Sequence, residues 1–247
     1  MAETIALDFN KPIALFPLPG VVLLPHAVQA LHIFEDRYRQ MIEHALASIE
    51  DNNLLSADAI ALASFVSAPR KSKSTSQAKS GAELPLLPAV CVGKIVQHQR
   101  LSDGRHNLLL QGVCRARIRT MREPDDERLY RMALLEPLER VSEPPPMLPG
   151  VRSAIRSMLR GPRLGRLAAA SAVLEWIARK DVPTHALLEL IGFTLIADEA
   201  TRYRLLAEAD ATARAQLIRK ELSHLDALVR KADEQAWKKW PKGMSWN

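Results

Sequence analysis

Residues Ser142 to Gly150 read Ser-Glu-Pro-Pro-Pro-Met-Leu-Pro-Gly. Proline lacks an amide hydrogen and fixes its own φ, so this run continues neither a sheet ladder nor a helix. The chain must fold as one thing before the connector and another after it. Before it the pattern reads as strands around a single helix; after it the pattern is helical throughout. A length of 247 residues leaves each part enough chain to bury a core. The expected organisation is α+β: a β-rich domain over 1–142, a linker over 143–150, and a helical bundle over 151–247 that ends in a long helix.

In the first part, Ile13 to Ser48 reads as strand, turn, strand, helix. Leu18-Pro19-Gly20-Val21 is the turn, and Val28 to Phe34 is a strand buried on at least one face. Tyr38, Met41, Ile42, Ala45, Leu46 and Ile49 then recur at helical spacing, with Glu35 and Asp36 in the first turn where acids suit the helix dipole. Phe16, Phe34 and Tyr38 are expected as core anchors, with Glu35 and Arg37 fixing the strand-to-helix corner. Asp58 to Val66 is another strand. The Ser/Lys-rich segment near 67–84 cannot repay its ordering entropy and is expected as a disordered insertion.

Pro88 to Thr120 reads as a hairpin turning at Asp103-Gly104. With a two-residue loop, facing positions sum to 207. Cys91 then faces Ala116, Cys114 faces Gly93, and the two thiols are neighbours on one face, acting as small hydrophobes. Arg115, Arg117 and Arg119 fall on a solvated face. Leu129 to Leu138 closes the β-rich part. After the connector, helices are expected at Val151 to Leu159, at Leu164 to Arg179, from an N-cap at Thr184 to Ile196, and after Asp198. A last helix opens at Asp210 or Thr212 and carries a heptad seam of Ile218, Leu222, Leu225, Val229, Ala232 and Ala236. Docking on its own core is the preferred reading of that seam, with self-association the alternative. The Trp/Lys-rich tail is expected to cap its own domain.

The net charge of +6 owes much to Arg70, Lys71, Lys73 and Lys79 in the insertion, so nucleic acid is not the expected partner. No apolar run approaches a membrane span, and a cytoplasmic protein is expected. Two cysteines make no disulfide framework. There is no phosphate loop of the GxxxxGK[ST] kind, no HExxH and no GxSxG elbow. His98 and His106 flank the hairpin turn and offer two metal ligands at best; solvent-exposed turn histidines are the expectation. No catalytic residue, cofactor or metal is expected.

Three stretches carry a resemblance. They are Phe16-Pro17-Leu18 with Val21 to Pro25 and Leu31 to Tyr38; Val92-Gly93-Lys94-Ile95 with Asp103-Gly104 and Leu110 to Ile118; and Leu205 to Glu208 with Asp210 and Arg214. Over roughly residues 12 to 230 the chain resembles the N-terminal domain of Lon proteases. The resemblance implies a PUA-like β-barrel of two sheets with one helix, followed by a helical bundle, in a region that recognises unfolded or tagged substrates and helps assemble a hexamer. The motif residues Phe16, Pro17, Leu18, Pro25, Phe34, Glu35, Arg37, Tyr38, Gly93, Gly104, Gly112, Arg115 and Arg117 are expected to be structural.

The phosphate loop and Ser-Lys dyad of the full enzyme are absent from the sequence. The expectation is therefore a stand-alone, non-enzymatic module for unfolded or extended polypeptide segments. The alternative is an RNA-binding PUA-like module served by Arg115, Arg117, Arg119 and Arg131.

Overall fold

Ile13–Pro17 (β1) is an unbroken apolar run, buried at all five positions. Such a strand needs partners on both edges and cover on both faces. It pairs in parallel with Ile60–Phe65 (β3) and antiparallel with Met132–Pro137 (β6). The link from β1 to β3 runs through Val28–Ile33 (β2) and the helix Asp36–Ala47 (α1). Leu86–Arg100 (β4) and His106–Arg122 (β5) form the long hairpin. This computed structural model describes residues 7–49, 53–65, 85–139 and 148–237. The Ser/Lys-rich insertion, most of the proline connector and the Trp/Lys tail lie outside the described residues.

The strands form one sheet in the order β2-β5-β4-β3-β1-β6, and β5 also pairs with β6, so the sheet closes on itself. The family resemblance implies a barrel of two sheets; the strands instead make one continuous ladder bent back to meet its own edge. Ile13, Leu15, Ala61, Ala63, Val90, Val92, Ala116, Ala133 and Leu135 fill the interior, alternating along their strands. Four of these nine are alanines, which lets a small barrel be filled by side chains. On the other side of β1, Phe16 meets Tyr38 of α1 with ring centroids 4.5 Å apart.

The hairpin register differs from expectation by one residue. Leu101 N–H donates to Arg105 O at 2.8 Å and Gly104 N–H to Leu101 O at 3.0 Å, with Gly104 at φ +81°. This is a three-residue loop whose last position needs the left-handed conformation. Facing residues become Arg100 with His106, Cys91 with Arg115, and Cys114 with Val92. Cys91 and Cys114 therefore occupy opposite faces rather than one. Cys114 packs against the barrel interior, and burial pushes its thiol up to about 11.

Contacts divide the chain into two units, 1–143 with 197–209, and 144–196 with 210–247. The helix Glu199–Ala207 (α5) thus groups with the barrel, not with the helices that flank it in sequence. Ala89 N–H donates to Tyr203 Oη at 2.9 Å, and Arg115 Nε donates to Leu206 O at 3.1 Å. Arg115 also pairs with Glu139 and is 1% exposed. Its expected place on a solvated face is corrected: it is the guanidinium under α5. Arg117 and Arg119 are exposed.

The second unit comprises Val151–Leu159 (α2), Ala170–Ala178 (α3), Thr184–Leu195 (α4) and Ala211–Trp237 (α6). The second helix expected from the sequence is split, with a short 3-10 turn at Leu164–Arg166 before α3. Pro183, not Thr184, is the N-cap of α4. Arg152 donates to the carbonyls of Ile177, Arg179 and Val182, satisfying acceptors that a helix end leaves open. Asp198 caps α5 and Asp210 caps α6 through their side chains. The α6 seam is buried at Ile218 and Leu222, half-buried at Leu225 and Val229, and exposed at Ala232. Among the described residues no helix is long and apolar enough to cross a membrane.

Candidate functional site

Pro17 decides where the barrel wall opens. Leu15 N–H donates to Arg131 O at 2.9 Å, and Ile13 faces Ala133, so alternate residues of β1 face the β6 edge. The next such residue is Pro17, and it has no N–H to offer. The β1–β6 ladder stops there. Leu129 N–H instead donates to Gln40 Oε1 at 2.8 Å, and Gln40 Nε2 donates to Glu127 O at 3.0 Å. The strand expected from Leu129 accordingly begins only at Met132, because residues 127–129 are held on α1 instead.

The opening is a groove of about 190 Å³ lined by Leu15, Pro17, Tyr38, Phe65 and Leu129, with Arg37 and Arg131 at its sides. Leu15 is fully buried and Tyr38 nearly so, while Leu129 is 44% exposed at the lip. Arg37 pairs with Glu35 and lies over the Tyr38 ring at 4.5 Å, and Arg131 pairs with Glu123, so both charged groups at the sides are neutralised by a nearby acid. Tyr38 Oη donates to Pro17 O at 3.3 Å, satisfying the carbonyl at the point where the ladder ends. Further along α1 a second hollow of about 530 Å³ includes Met41, His44, Lys94, Arg128 and Tyr130. Tyr130 belongs to both hollows and bonds His44 Nδ1 through its hydroxyl at 3.0 Å.

The two turn histidines are not solvent-exposed as expected. His98 Nε2 and His106 Nδ1 share a hydrogen bond of 2.8 Å in stacked rings, and His106 is 1% exposed beside Glu43 of α1. Among the described residues no group of three or more His, Cys, Asp or Glu side chains could hold a metal ion. Burial holds both histidines below their ordinary value of 6.5, helped at His98 by the neighbouring His106 and Arg100, and opposed at His106 by Glu43. A base with a depressed folded pKa contributes stability above its unfolded value and loses it as pH falls. The melting temperature is therefore expected to decline as pH falls from about 6.5, and His98→Gln to flatten that decline. Equal pH profiles for the two proteins, followed by calorimetry, would contradict this.

The family model for the ATP-dependent protease La (LON) substrate-binding domain matches residues 12–224. The chain belongs to that family. No curated protein sequence matches it. Among solved structures it is similar to the N-terminal domain of the Mycobacterium avium complex Lon protease, with TM-score 0.57 and 16% identity over 86% of this chain and 98% of that one. It is also similar to a Lon N-terminal domain protein from Xanthomonas campestris, with TM-score 0.54 and 18% identity over 83% and 95%. At these identities the likeness is one of fold.

The Lon motif residues divide by position. Pro17, Arg37 and Tyr38 line the groove, and Phe16 supports Tyr38 from the core. Gly93 and Gly112 face each other across the hairpin. Phe34, expected as a core anchor, is 61% exposed and stacks against His32 at 6.3 Å. It stands just past β2, whose last inward residue is Ile33, so the corner into α1 turns the ring outward. Gln40, Leu129 and Tyr130 were not singled out from the sequence. The one available signal was the proline that ends β1, and reading it required the β1–β6 register.

Proposed function

We propose that this Lon-type substrate-binding module takes apolar side chains of unfolded or extended protein segments into the groove where the β1–β6 ladder ends, and that it carries out no chemistry itself. The observation that supports this most directly is the exposed Leu129 at the lip of a groove floored by Leu15, Pro17 and Tyr38. An apolar hollow beside an interrupted strand pairing suits a peptide that offers both a side chain and free backbone groups. The non-enzymatic part of the reading rests on the sequence, which has neither a GxxxxGK[ST] loop nor a GxSxG elbow.

Of the four arginines behind the RNA-binding alternative, Arg117 and Arg119 are exposed and two are engaged elsewhere. Arg115 is buried against Glu139, and Arg131 is held by Glu123. Binding to a casein-like unfolded protein and to a structured RNA, each followed across salt, separates the two readings. Unfolded-protein binding should change little with salt, whereas RNA binding would weaken steeply as counterions are released. Leu129→Asp is expected to weaken unfolded-protein binding about tenfold, which is ~1.4 kcal/mol, with the melting temperature unchanged. Salt-sensitive RNA binding without unfolded-protein binding would overturn the proposal. So would ATP-dependent proteolysis that copurifies with the protein.

A further inference from the structure

Lys94 is the residue that the groove alone does not explain. It lies on β4 facing Gln111 and is 7% exposed. Among the described residues its ammonium makes one hydrogen bond, to the carbonyl of Ala57. An ammonium has three donors, and a buried charge without a close counter-ion is costly. Burial lowers its pKa, opposed by the charge of Asp58. Asp58 itself is exposed.

Lys94 lines the hollow of about 530 Å³ beside α1, where Lys11, Arg128 and His44 join it. The Nε of Arg128 is buried with no hydrogen-bond partner among the described residues. Against these stand Asp8, held by Lys11 at 3.9 Å, and Asp58. The hollow therefore has a cationic side with unused donors, and an apolar side formed by Ile13, Met41, Ala45 and Met132. It adjoins the groove, since Tyr130 lines both.

We infer that this hollow receives the terminal carboxylate of a bound polypeptide whose apolar side chain sits in the adjoining groove, an inference that rests on the groove reading above. Spacing along α1 supports the arrangement. Tyr38 lines the groove and His44 and Ala45 line the hollow, a separation of six to seven helical residues, or about 10 Å. An extended peptide covers about 10 Å in three residues. A segment with an apolar residue three positions before its end would reach both. A carboxylate accepts charge-assisted hydrogen bonds from an ammonium and a guanidinium, each roughly twice as strong as a neutral one.

The test uses the full chain and a fluorescein-labelled seven-residue Ser/Gly peptide whose single leucine stands three residues before its end. Its free acid is compared with its C-terminal amide, with an amide carrying aspartate at the last position, and with succinate as competitor. The free acid is expected to bind at least tenfold more tightly than the plain amide. Lys94→Met should bring the two within twofold while leaving the amide's affinity unchanged, and Arg128→Gln should narrow the gap in the same sense.

Equal affinity of acid and amide for the wild-type protein would overturn the inference, and so would a gap that persists in Lys94→Met. An aspartate amide that matches the free acid would move the site to side-chain carboxylates. Displacement by succinate as effective as by the free acid would make it a small-molecule site. Either result overturns the terminal assignment. Should Lys94→Met fail to fold, Arg128→Gln and the wild-type acid-to-amide ratio still decide. Leu129→Asp separates this from the groove reading: it should weaken acid and amide equally, and if it leaves the amide unaffected the groove itself is wrong.

Discussion

Replacing Glu189 with leucine is expected to destabilise the helical unit by about 3–5 kcal/mol. Glu189 on α4 and Arg214 on α6 meet at 2.9 Å with side chains only 3% and 4% exposed. Removing the carboxylate takes a close counter-charge away from a guanidinium that has little access to water. The penalty comes mostly from the buried guanidinium losing a counter-charge, not from the pair's own net worth. The double variant Glu189→Leu with Arg214→Met should therefore recover most of the loss, because both charges leave together. Denaturant unfolding of the single and double variants provides the cycle. A single-variant cost below about 1 kcal/mol, or a double variant as unstable as the worse single, would contradict this account.

Gly112→Ala is expected to damage the barrel still more visibly. A Cβ at this position would stand 2.3 Å from the carbonyl oxygen of Leu24 and 2.9 Å from Cys91 Sγ. The first of these is backbone, and it cannot swing aside. His26 N–H donates to Gly112 O and Gly112 N–H donates to Ala27 O, so the segment is bonded in place from both directions. Overpacking a core costs about 1–3 kcal/mol when side chains can adjust. Where backbone must move, the upper end or beyond is expected, with a melting temperature lower by about ten degrees or loss of soluble protein. The neighbouring Val113→Ala, at a half-buried position, serves as the control. A Gly112→Ala protein that melts within a few degrees of the parent would show that the chain near Leu24 yields more easily than its bonding implies.

The elements legible in the sequence were those fixed by local chemistry. Val151–Leu159 appears as the periodicity placed it, and Asp198 and Asp210 cap the helices they precede. The hairpin was legible as a hairpin. Its register was not, because Asp-Gly serves two-residue and three-residue loops alike and the choice lies in the backbone of Gly104. What escaped entirely were features created by distant segments. Arg115 reads as one of three alternate arginines on a strand, and only the arrival of Leu206 and Glu139 makes it the buried one. Phe34 reads as apolar and hence internal, yet the corner after Ile33 turns it out. The groove depends on a proline meeting a particular partner across a ladder, a relation that single-chain periodicity does not contain.

The return of residues 197–209 to the barrel has a consequence for how this protein can be inherited or cut. Its β-rich unit is written in two separate pieces of gene, with helices of the other unit encoded between them. A fragment that ends at the proline connector carries every strand but leaves out Tyr203, the acceptor for Ala89 N–H, and the Leu206 carbonyl that receives Arg115. The prolines therefore mark only one of the three places where the chain passes between the two units, the others lying at 196/197 and 209/210. Shuffling or trimming that respects the prolines would separate a domain from part of itself.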